Sequence, residues 1–275
     1  MAVKSNGRIL FSSLKGGVGK STAACLVASA LAGDGYKVVL VDLDFRSRSL
    51  DLILGVSDNV VFTFDDYLLE RCSADQLLVP VPDYVPTSKT GAKGPFLLCA
   101  APSETVFESG EADDMYAKIP EALDRLYAET EADYIVCDTG ADSRIPGIVA
   151  DRFATLALIV SEQSRTSVRA AEATANNLIK GNTMREVRLV INNFDIKVAR
   201  RGGRAGILEM IDGASVRCIG VIPADENLAE VQDKGAPPLP DSSVIPAARN
   251  IARRIQGIET PLFYKMKKER RRVTL

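Results

Sequence analysis

The chain has 275 residues, of which 46% are hydrophobic and 25% are charged, and its formal net charge is −2. This composition is ordinary for a globular protein and lacks the strong positive charge of a general nucleic-acid binder. Histidine is absent, which excludes Ser-His and Cys-His catalysis and most catalytic zinc sites. The five cysteines form no Cys-x-x-Cys pair, and we predict that they are small core residues.

Strands and helices are predicted to alternate along nearly the whole chain. The strands, which are short apolar or β-branched runs, are Arg8–Ser13, Lys37–Asp42, Phe96–Ala100, Tyr134–Asp138, Leu156–Val160, Arg188–Asn192 and Arg217–Ile222. The helices are Lys20–Ala32, Ala112–Glu129, Ser167–Lys180, Gly203–Ile211, Ala224–Gln232 and Val244–Gln256. The alternation predicts an α/β fold with a doubly wound, mostly parallel sheet, helices on both faces and a site at the carboxyl ends of the strands. We expect residues 1–260 to form a single domain.

One segment interrupts this alternation. Residues 79–95, "VPVPDYVPTSKTGAKGP", are rich in proline and glycine and have no helical period. Such a composition favours a flexible surface loop over a dedicated binding element.

The stretch "LKGGVGKST" (Leu14–Thr22) directly follows the first predicted strand and opens the first helix. Its glycines let main-chain amides face phosphate oxygens, and the helix N-terminus adds the positive end of its dipole. Lys20 is expected to reach the β- and γ-phosphates, Ser21 to bind Mg²⁺ and Thr22 to bond the α-phosphate. The residues predicted to bind nucleotide in this loop are Gly16, Gly17, Val18, Gly19, Lys20, Ser21 and Thr22.

Acidic residues follow two other predicted strands. The stretch "VDLDFRSRSLDLILG" places Asp42 and Asp44 at one strand end, and "DYIVCDTG" places Asp138 at another. Carboxylates beside a phosphate loop can hold Mg²⁺ or orient an attacking water. We predict that Asp44 positions the water and that Asp42 and Asp138 serve the metal; the alternative for the first pair is two exposed loop carboxylates.

The phosphate loop, with its early lysine Lys15, resembles the deviant Walker A motif of the MinD/ParA family of ATPases. The resemblance implies a P-loop NTPase fold, ATP or ADP with Mg²⁺ as cofactors and a homodimer that forms with ATP. It also implies that Lys15 contacts phosphates bound by the other subunit. Asp42 and Asp44 then correspond to the family's switch I segment, where "SLDL" resembles the MinD branch although Ser49 replaces asparagine. Asp138 corresponds to Walker B, and Gly140 stands where the family has proline, which predicts a looser switch II.

Two later stretches extend the resemblance. "RLVINNFD" is similar to the family's strand that ends in asparagine, which implies that Asn192 bonds the adenine edge. "GVIPADENLAEVQDKGAPPL" is similar to the segment whose proline, here Pro223, flanks the base. Ordinary strand-end residues are the alternative at both positions.

The last residues form a basic tail, 261–275, "PLFYKMKKERRRVTL", with six basic residues and one acidic residue. Leu262, Met266 and Val273 fall near one helical face with Phe263 beside them, so the tail is a candidate interfacial helix at an anionic membrane surface. A solvated tail and a DNA contact are the alternatives. We expect a cytoplasmic protein, with peripheral contact at the inner face of the cell membrane if the tail binds there.

Together these features predict a MinD-like ATPase switch. It would bind and slowly hydrolyse Mg-ATP, dimerise with ATP, respond to an activating protein and position a cell-division or other polar structure. One alternative is a ParA-type DNA-partitioning ATPase, which would use the basic stretch "KVARRGGR" (Lys197–Arg204). A nucleotide-binding scaffold with little hydrolysis is another, and an iron–sulfur reductase would need paired cysteines near a dimer axis.

Overall fold

The computed structural model describes residues 7–85, 93–102, 112–180, 184 and 186–266. The strands are β1 Arg8–Ser12, β2 Val38–Leu43, β3 Val79–Pro80, β4 Phe96–Cys99, β5 Tyr134–Thr139, β6 Leu156–Glu162, β7 Glu186–Phe194 and β8 Cys218–Pro223. The helices are α1 Lys20–Gly33, α2 Leu50–Ile53, α3 Phe64–Leu68, α4 Ala74–Leu77, α5 Ala112–Thr130, α6 Arg144–Arg152, α7 Arg165–Lys180, α8 Ile196–Arg200, α9 Ile207–Ala214, α10 Leu228–Asp233 and α11 Val244–Ile255.

In the described residues one sheet runs in the order β3-β4-β2-β5-β1-β6-β7-β8. All neighbouring strands are parallel except β3, which pairs antiparallel with β4 at the edge. Strand β1 lies between β5 and β6, so the winding changes direction beside it. Such a switch point opens a crevice at the carboxyl ends of the central strands.

Both faces of the sheet are covered, as the nearly continuous apolar strands predict. On one face the side chains of β1, β2 and β5 pack against α1 and α11. On the other face they pack against α5, α6, α7 and α9. The doubly wound, mostly parallel α/β fold expected from the sequence is confirmed.

Several helices differ from the sequence prediction. Helix α9 begins at Ile207 and α10 at Leu228, later than expected, because the residues before each helix form turns. Helix α6 was not predicted, since Pro146 and Gly147 are typical of a turn. Pro146 instead lies in the first turn of α6, where a missing N–H breaks no intrahelical hydrogen bond. The short helices α2, α3, α4 and α8 lack the length that gives a periodic signal.

The proline-rich segment 79–95 is partly packed against the domain. Val79 pairs with Leu98 of β4, and Tyr84 and Val85 are buried. The Val85 amide donates to the Ser29 hydroxyl on α1 at 2.7 Å. The expectation of a surface loop is therefore wrong for Val79, Tyr84 and Val85, whereas Pro80, Pro82 and Asp83 are exposed as expected. Residues 86–92 lie outside the described residues.

The start of the tail also packs against the domain. Met266 is buried, and Leu262 and Phe263 pack against the hydrophobic cores. The predicted interfacial helix is therefore wrong for these residues, because the apolar groups that it would offer to a membrane are used in the fold. Val273, the other member of that face, lies outside the described residues. Across the ranges that the structure describes, no helix has the length and apolarity needed to span a bilayer.

Candidate functional site

A cleft of about 400 Å³ opens at the carboxyl ends of the central strands. It is bounded by the phosphate loop, the β2–α2 loop and the β5–α6 loop, which the topology brings together from distant parts of the chain. The lining residues are Gly16, Gly17, Gly19, Lys20, Ser21, Thr22, Asp44, Arg46, Ser47, Ser49, Ile53, Gly140, Ala141 and Asp142.

The phosphate loop has the backbone that its glycines predict. Gly17 and Gly19 hold positive φ angles of 74° and 80°, which glycine adopts without steric cost. Gly19 is the N-cap of α1, and the helix begins at Lys20 directly behind it. Lys20 is only 6% exposed and lines the cleft, so its ammonium lies where the loop and the helix N-terminus favour an anion.

Asn192, two residues before the end of β7, braces this loop. Its side-chain amide donates to the Val18 carbonyl at 2.9 Å, and a Cβ atom on Gly19 would collide with the same amide nitrogen. Asn192 and Pro223 do not border the cleft described above; Pro223 is buried beside Phe194, its partner in the β7–β8 register. The adenine contacts expected of Asn192 and Pro223 stay predictions.

Asp138 is a buried carboxylate that finds no hydrogen-bond partner within the part of the chain that the structure describes. It is 0% exposed, and neither oxygen has a donor in hydrogen-bonding geometry among the described residues. Burial raises its pKa to about 7; the nearby Ser21 hydroxyl and Lys20 ammonium oppose the rise, and Asp44 adds to it. Leaving a carboxylate unpaired in the core is unfavourable, so Asp138 with Ser21 is a suitable donor pair for a divalent cation.

Among the described residues no three Asp, Glu or Cys side chains converge to form a metal site made of protein alone. Mg²⁺ in nucleotide sites typically takes one or two protein ligands together with substrate phosphates and water. Ser21 and Asp138, one hydroxyl and one carboxylate beside the cleft, fit that pattern.

Asp42 has a different environment from the one expected of a metal ligand. It pairs in register with Asp138 across β2 and β5, but its Oδ1 accepts from the Asp44 amide at 2.9 Å and its Oδ2 accepts from the Leu50 amide at 3.2 Å. Burial, with Asp138 nearby, raises the pKa of Asp42 well above its usual range. In this structure Asp42 shapes the β2–α2 loop, and its predicted place at the metal stays a prediction.

Asp44 lies in the cleft as predicted. Its Oδ1 accepts from the Ser47 amide at 3.1 Å, which fixes the orientation of the carboxylate. Gly140 of the β5–α6 loop lies against it, since a Cβ at position 140 would come 3.2 Å from Asp44 Oδ1 and 3.0 Å from Asp142 Oδ2. The small residue at position 140 therefore lets the two loops approach closely.

Thr22 lines the cleft, but its hydroxyl donates to Oε1 of Gln232 at 3.1 Å. The Gln232 amide in turn donates to the Tyr84 hydroxyl at 2.9 Å. The predicted hydrogen bond from Thr22 to an α-phosphate is not available while this chain of bonds is intact. The chain of bonds links α1, α10 and the packed part of the proline-rich segment.

Lys15 is held away from the cleft that its own chain forms. Its Nζ lies 3.7 Å from a carboxylate oxygen of Glu162 and 3.5 Å from the Ser164 hydroxyl, at the carboxyl end of β6. The side chain is 32% exposed. Of the two lysines in the phosphate loop, only Lys20 borders this cleft.

The sequence analysis missed several lining residues, above all Arg46. The sequence alone could have indicated Arg46 as a site residue, because it follows the predicted site residue Asp44 by two positions in the same predicted loop. The contribution of Ala141 and Asp142 could be found only from the fold, since it depends on how the β5–α6 loop turns.

Comparison with known proteins agrees with this geometry. Residues 9–239 match the family described as the CobQ/CobB/MinD/ParA nucleotide binding domain. The septum site-determining protein MinD of Synechocystis is 30% identical over 263 residues, which cover 93% of this chain and 91% of the relative.

Two solved structures have a similar fold. MinD in the MinC:MinD complex of Aquifex aeolicus superposes with a TM-score of 0.77 at 26% identity, covering 92% of this chain and 97% of the other. MinD of Pyrococcus horikoshii, solved with Mg-ADP, gives 0.71 at 21% identity, covering 90% and 94%. The chain thus belongs to the CobQ/CobB/MinD/ParA nucleotide-binding family, as an ATPase of its MinD/ParA group.

Proposed function

We propose that this ATPase is a MinD-like switch that binds Mg-ATP, dimerises in that state and hydrolyses the nucleotide slowly until a partner protein accelerates the reaction. Its output would be the placement of a cell-division or other polar structure. The main support for the proposed dimer is the position of Lys15. Its side chain contacts Glu162 and Ser164, outside the chain's own cleft.

In this proposal the phosphate loop binds the triphosphate with Lys20 at its β- and γ-phosphates. Ser21 and Asp138 would hold Mg²⁺, which neutralises charge on the phosphate oxygens. Asp44, held by the Ser47 amide, orients the attacking water. Lys15 leaves its contact with Glu162 and reaches the phosphates of the second subunit, where a further cation stabilises developing charge.

The test is ATP turnover and oligomeric state of the parent protein and of a Lys15→Ala variant. We expect the variant still to bind ATP but to lose the ATP-dependent dimer and about tenfold or more of its turnover. Lys37→Ala is a matched control, because Lys37 lies before β2 at the opposite end of the strands. Equal turnover and dimerisation in the Lys15→Ala variant would disprove the proposed role of Lys15.

The names of the relatives support the proposed role in cell division, and the complex of the Aquifex relative with MinC supports a regulatory partner for this chain.

Membrane association, if the tail provides it, would be electrostatic, because Leu262, Phe263 and Met266 pack against the domain. At ~1 kcal/mol per basic residue near an anionic surface, such binding is sensitive to salt. Sedimentation with anionic and with neutral liposomes at two salt concentrations tests this step.

A ParA-type DNA-partitioning function is the second candidate, and one cluster favours it. Lys197, Arg200, Arg201 and Arg204 are exposed around α8, and none forms an ion pair with another described residue. Exposed cations of this kind bind the phosphate backbone of DNA without reading its sequence.

Retardation of duplex DNA in the presence of ATP tests this candidate. An Arg200→Ala/Arg201→Ala variant should then lose binding, whereas Lys180→Ala/Arg217→Ala, which removes the same charge elsewhere, should not. Absence of any retardation by the parent protein would exclude the DNA-partitioning function.

A further inference from the structure

Arg46 is a cation of the cleft with no role in the function proposed above. It lies in the β2–α2 loop, is exposed and borders the same space as Lys20 and the glycines of the phosphate loop. Among the residues that line this cleft, Lys20 and Arg46 are the two cations, and Asp44 and Asp142 are the two anions.

The loop that carries Arg46 is held in one shape by hydrogen bonds on either side of it. Asp42 accepts from the amides of Asp44 and Leu50 at 2.9 and 3.2 Å. Asp44 accepts from the Ser47 amide at 3.1 Å through its side chain and from the Arg48 amide at 2.9 Å through its carbonyl. The backbone that carries Arg46 is therefore held beside the cleft before any ligand arrives.

The negative charges around the cleft favour a second cationic side chain at the site where the triphosphate binds. Asp44, Asp142 and the buried Asp138 all lie at or behind the site where a polyanionic triphosphate must bind. Lys15 is engaged with Glu162 in the isolated chain. Without Arg46, Lys20 would be the one cationic side chain among the described lining residues of the cleft, and it would add to the loop amides and Mg²⁺ against both the phosphates and these carboxylates.

We propose that Arg46 binds the terminal phosphate of ATP within its own subunit and so makes this protein prefer ATP to ADP before it dimerises. The inference rests on the proposed binding of Mg-ATP in this cleft and adds a residue to it. The guanidinium offers two parallel N–H donors to two phosphate oxygens, a geometry that lysine cannot reproduce. ADP lacks these oxygens, so the contact distinguishes the two nucleotides.

The experiment measures the dissociation constants of ATP and ADP with Mg²⁺ in a Lys15→Ala background, where the proposed contribution of a second subunit is absent. We expect Arg46→Ala to weaken ATP binding by about tenfold or more, as for loss of a charge-assisted hydrogen bond. ADP binding should change by less than about twofold. Arg46→Lys should recover only part of the ATP affinity.

Arg48→Ala is the matched control. Arg48 carries the same charge in the same loop and is exposed, but it does not line the cleft. We expect it to bind both nucleotides like its Lys15→Ala parent. Circular dichroism of each variant establishes that the fold is retained.

Three outcomes would overturn the inference. Arg46→Ala could leave the ATP affinity unchanged, could weaken ATP and ADP equally, or could behave like Arg48→Ala. Failure of the parent protein to bind Mg-ATP is a separate result, because it removes the proposed function together with this inference. If the parent protein and the Arg46→Ala variant both bind Mg-ATP normally, this inference is disproved and the proposed function is not affected.

Discussion

Gly17 and Gly19 both hold a left-handed backbone in the phosphate loop, but their surroundings differ. At Gly19 a Cβ would collide with the Asn192 amide, whereas at Gly17 nothing lies within 4 Å. Gly17→Ala should therefore lower the free energy of unfolding of the nucleotide-free protein by about 1 kcal/mol, through backbone strain alone. Gly19→Ala should lower it by about 2 kcal/mol or more, since the Asn192–Val18 hydrogen bond is also lost. Urea denaturation measures both, and equal losses would contradict the bracing role of Asn192.

The unpaired carboxylate of Asp138 predicts an unusual pH dependence. Its pKa is raised from 3.8 to about 7 in the folded protein, so between these values the folded state binds more protons than the unfolded state. Without Mg²⁺ and nucleotide, the contribution of Asp138 to the free energy of unfolding should fall by about 3 kcal/mol as the pH rises from 4 to 7, and then level off.

An Asp138→Asn variant tests this cause. Its free energy of unfolding should vary much less with pH, with a residual slope from Asp42, whose pKa is shifted in the same direction. Urea denaturation in EDTA between pH 4 and pH 8 measures the effect, and Asp58→Asn, at an exposed position, is the control. An unchanged slope in Asp138→Asn would show that another group titrates.

At the scale of elements, the β2–α2 loop depends on Asp42. Replacing it with alanine leaves the buried amides of Asp44 and Leu50 without their acceptor, at about 1–3 kcal/mol for each unsatisfied group. The loop should open, and trypsin should then cut after Arg46 and Arg48, which are exposed, about tenfold faster or more. Mass spectrometry of timed digests identifies the cuts. Unchanged cleavage rates, with Asp58→Ala as the control, would contradict the bracing role.

Helix α1 and strand β2, the first two elements after the phosphate loop, were predicted to within one residue because each has a strong local pattern. Helix α6 was missed because Pro146 and Gly147 suggest a turn when they are considered alone. Its start is set by the preceding loop, where Asp142 Oδ1 accepts from the amides of Arg144 and Ile145 at 2.8 and 3.2 Å. Side-chain capping of this kind fixes a helix start that periodicity does not reveal.

At the scale of the whole molecule, the start of the basic tail belongs to the domain. Met266 is 2% exposed, so Met266→Ala should lower the free energy of unfolding by about 2 kcal/mol or more. Ile258→Ala is the control, because Ile258 is 38% exposed and should change the stability by less than about 0.5 kcal/mol. Thermal or urea denaturation measures both. If Met266→Ala leaves stability intact and weakens liposome binding instead, the interfacial role of the tail is restored.

Local sequence patterns were enough to predict the fold class, the phosphate loop and the placement of Asp44 and Asp138 after or at the ends of their strands. These features depend on residues adjacent in the chain, where spacing and apolar runs act directly on the local backbone. The tertiary structure decided what Asp42, Thr22, Asn192, Lys15 and Met266 contact. Their partners are set by how the strands and helices pack, and Asn192 and Gln232 reach the phosphate loop across 174 and 210 residues of sequence. No local pattern encodes such contacts, because they arise only when the sheet brings the carboxyl ends of its strands together.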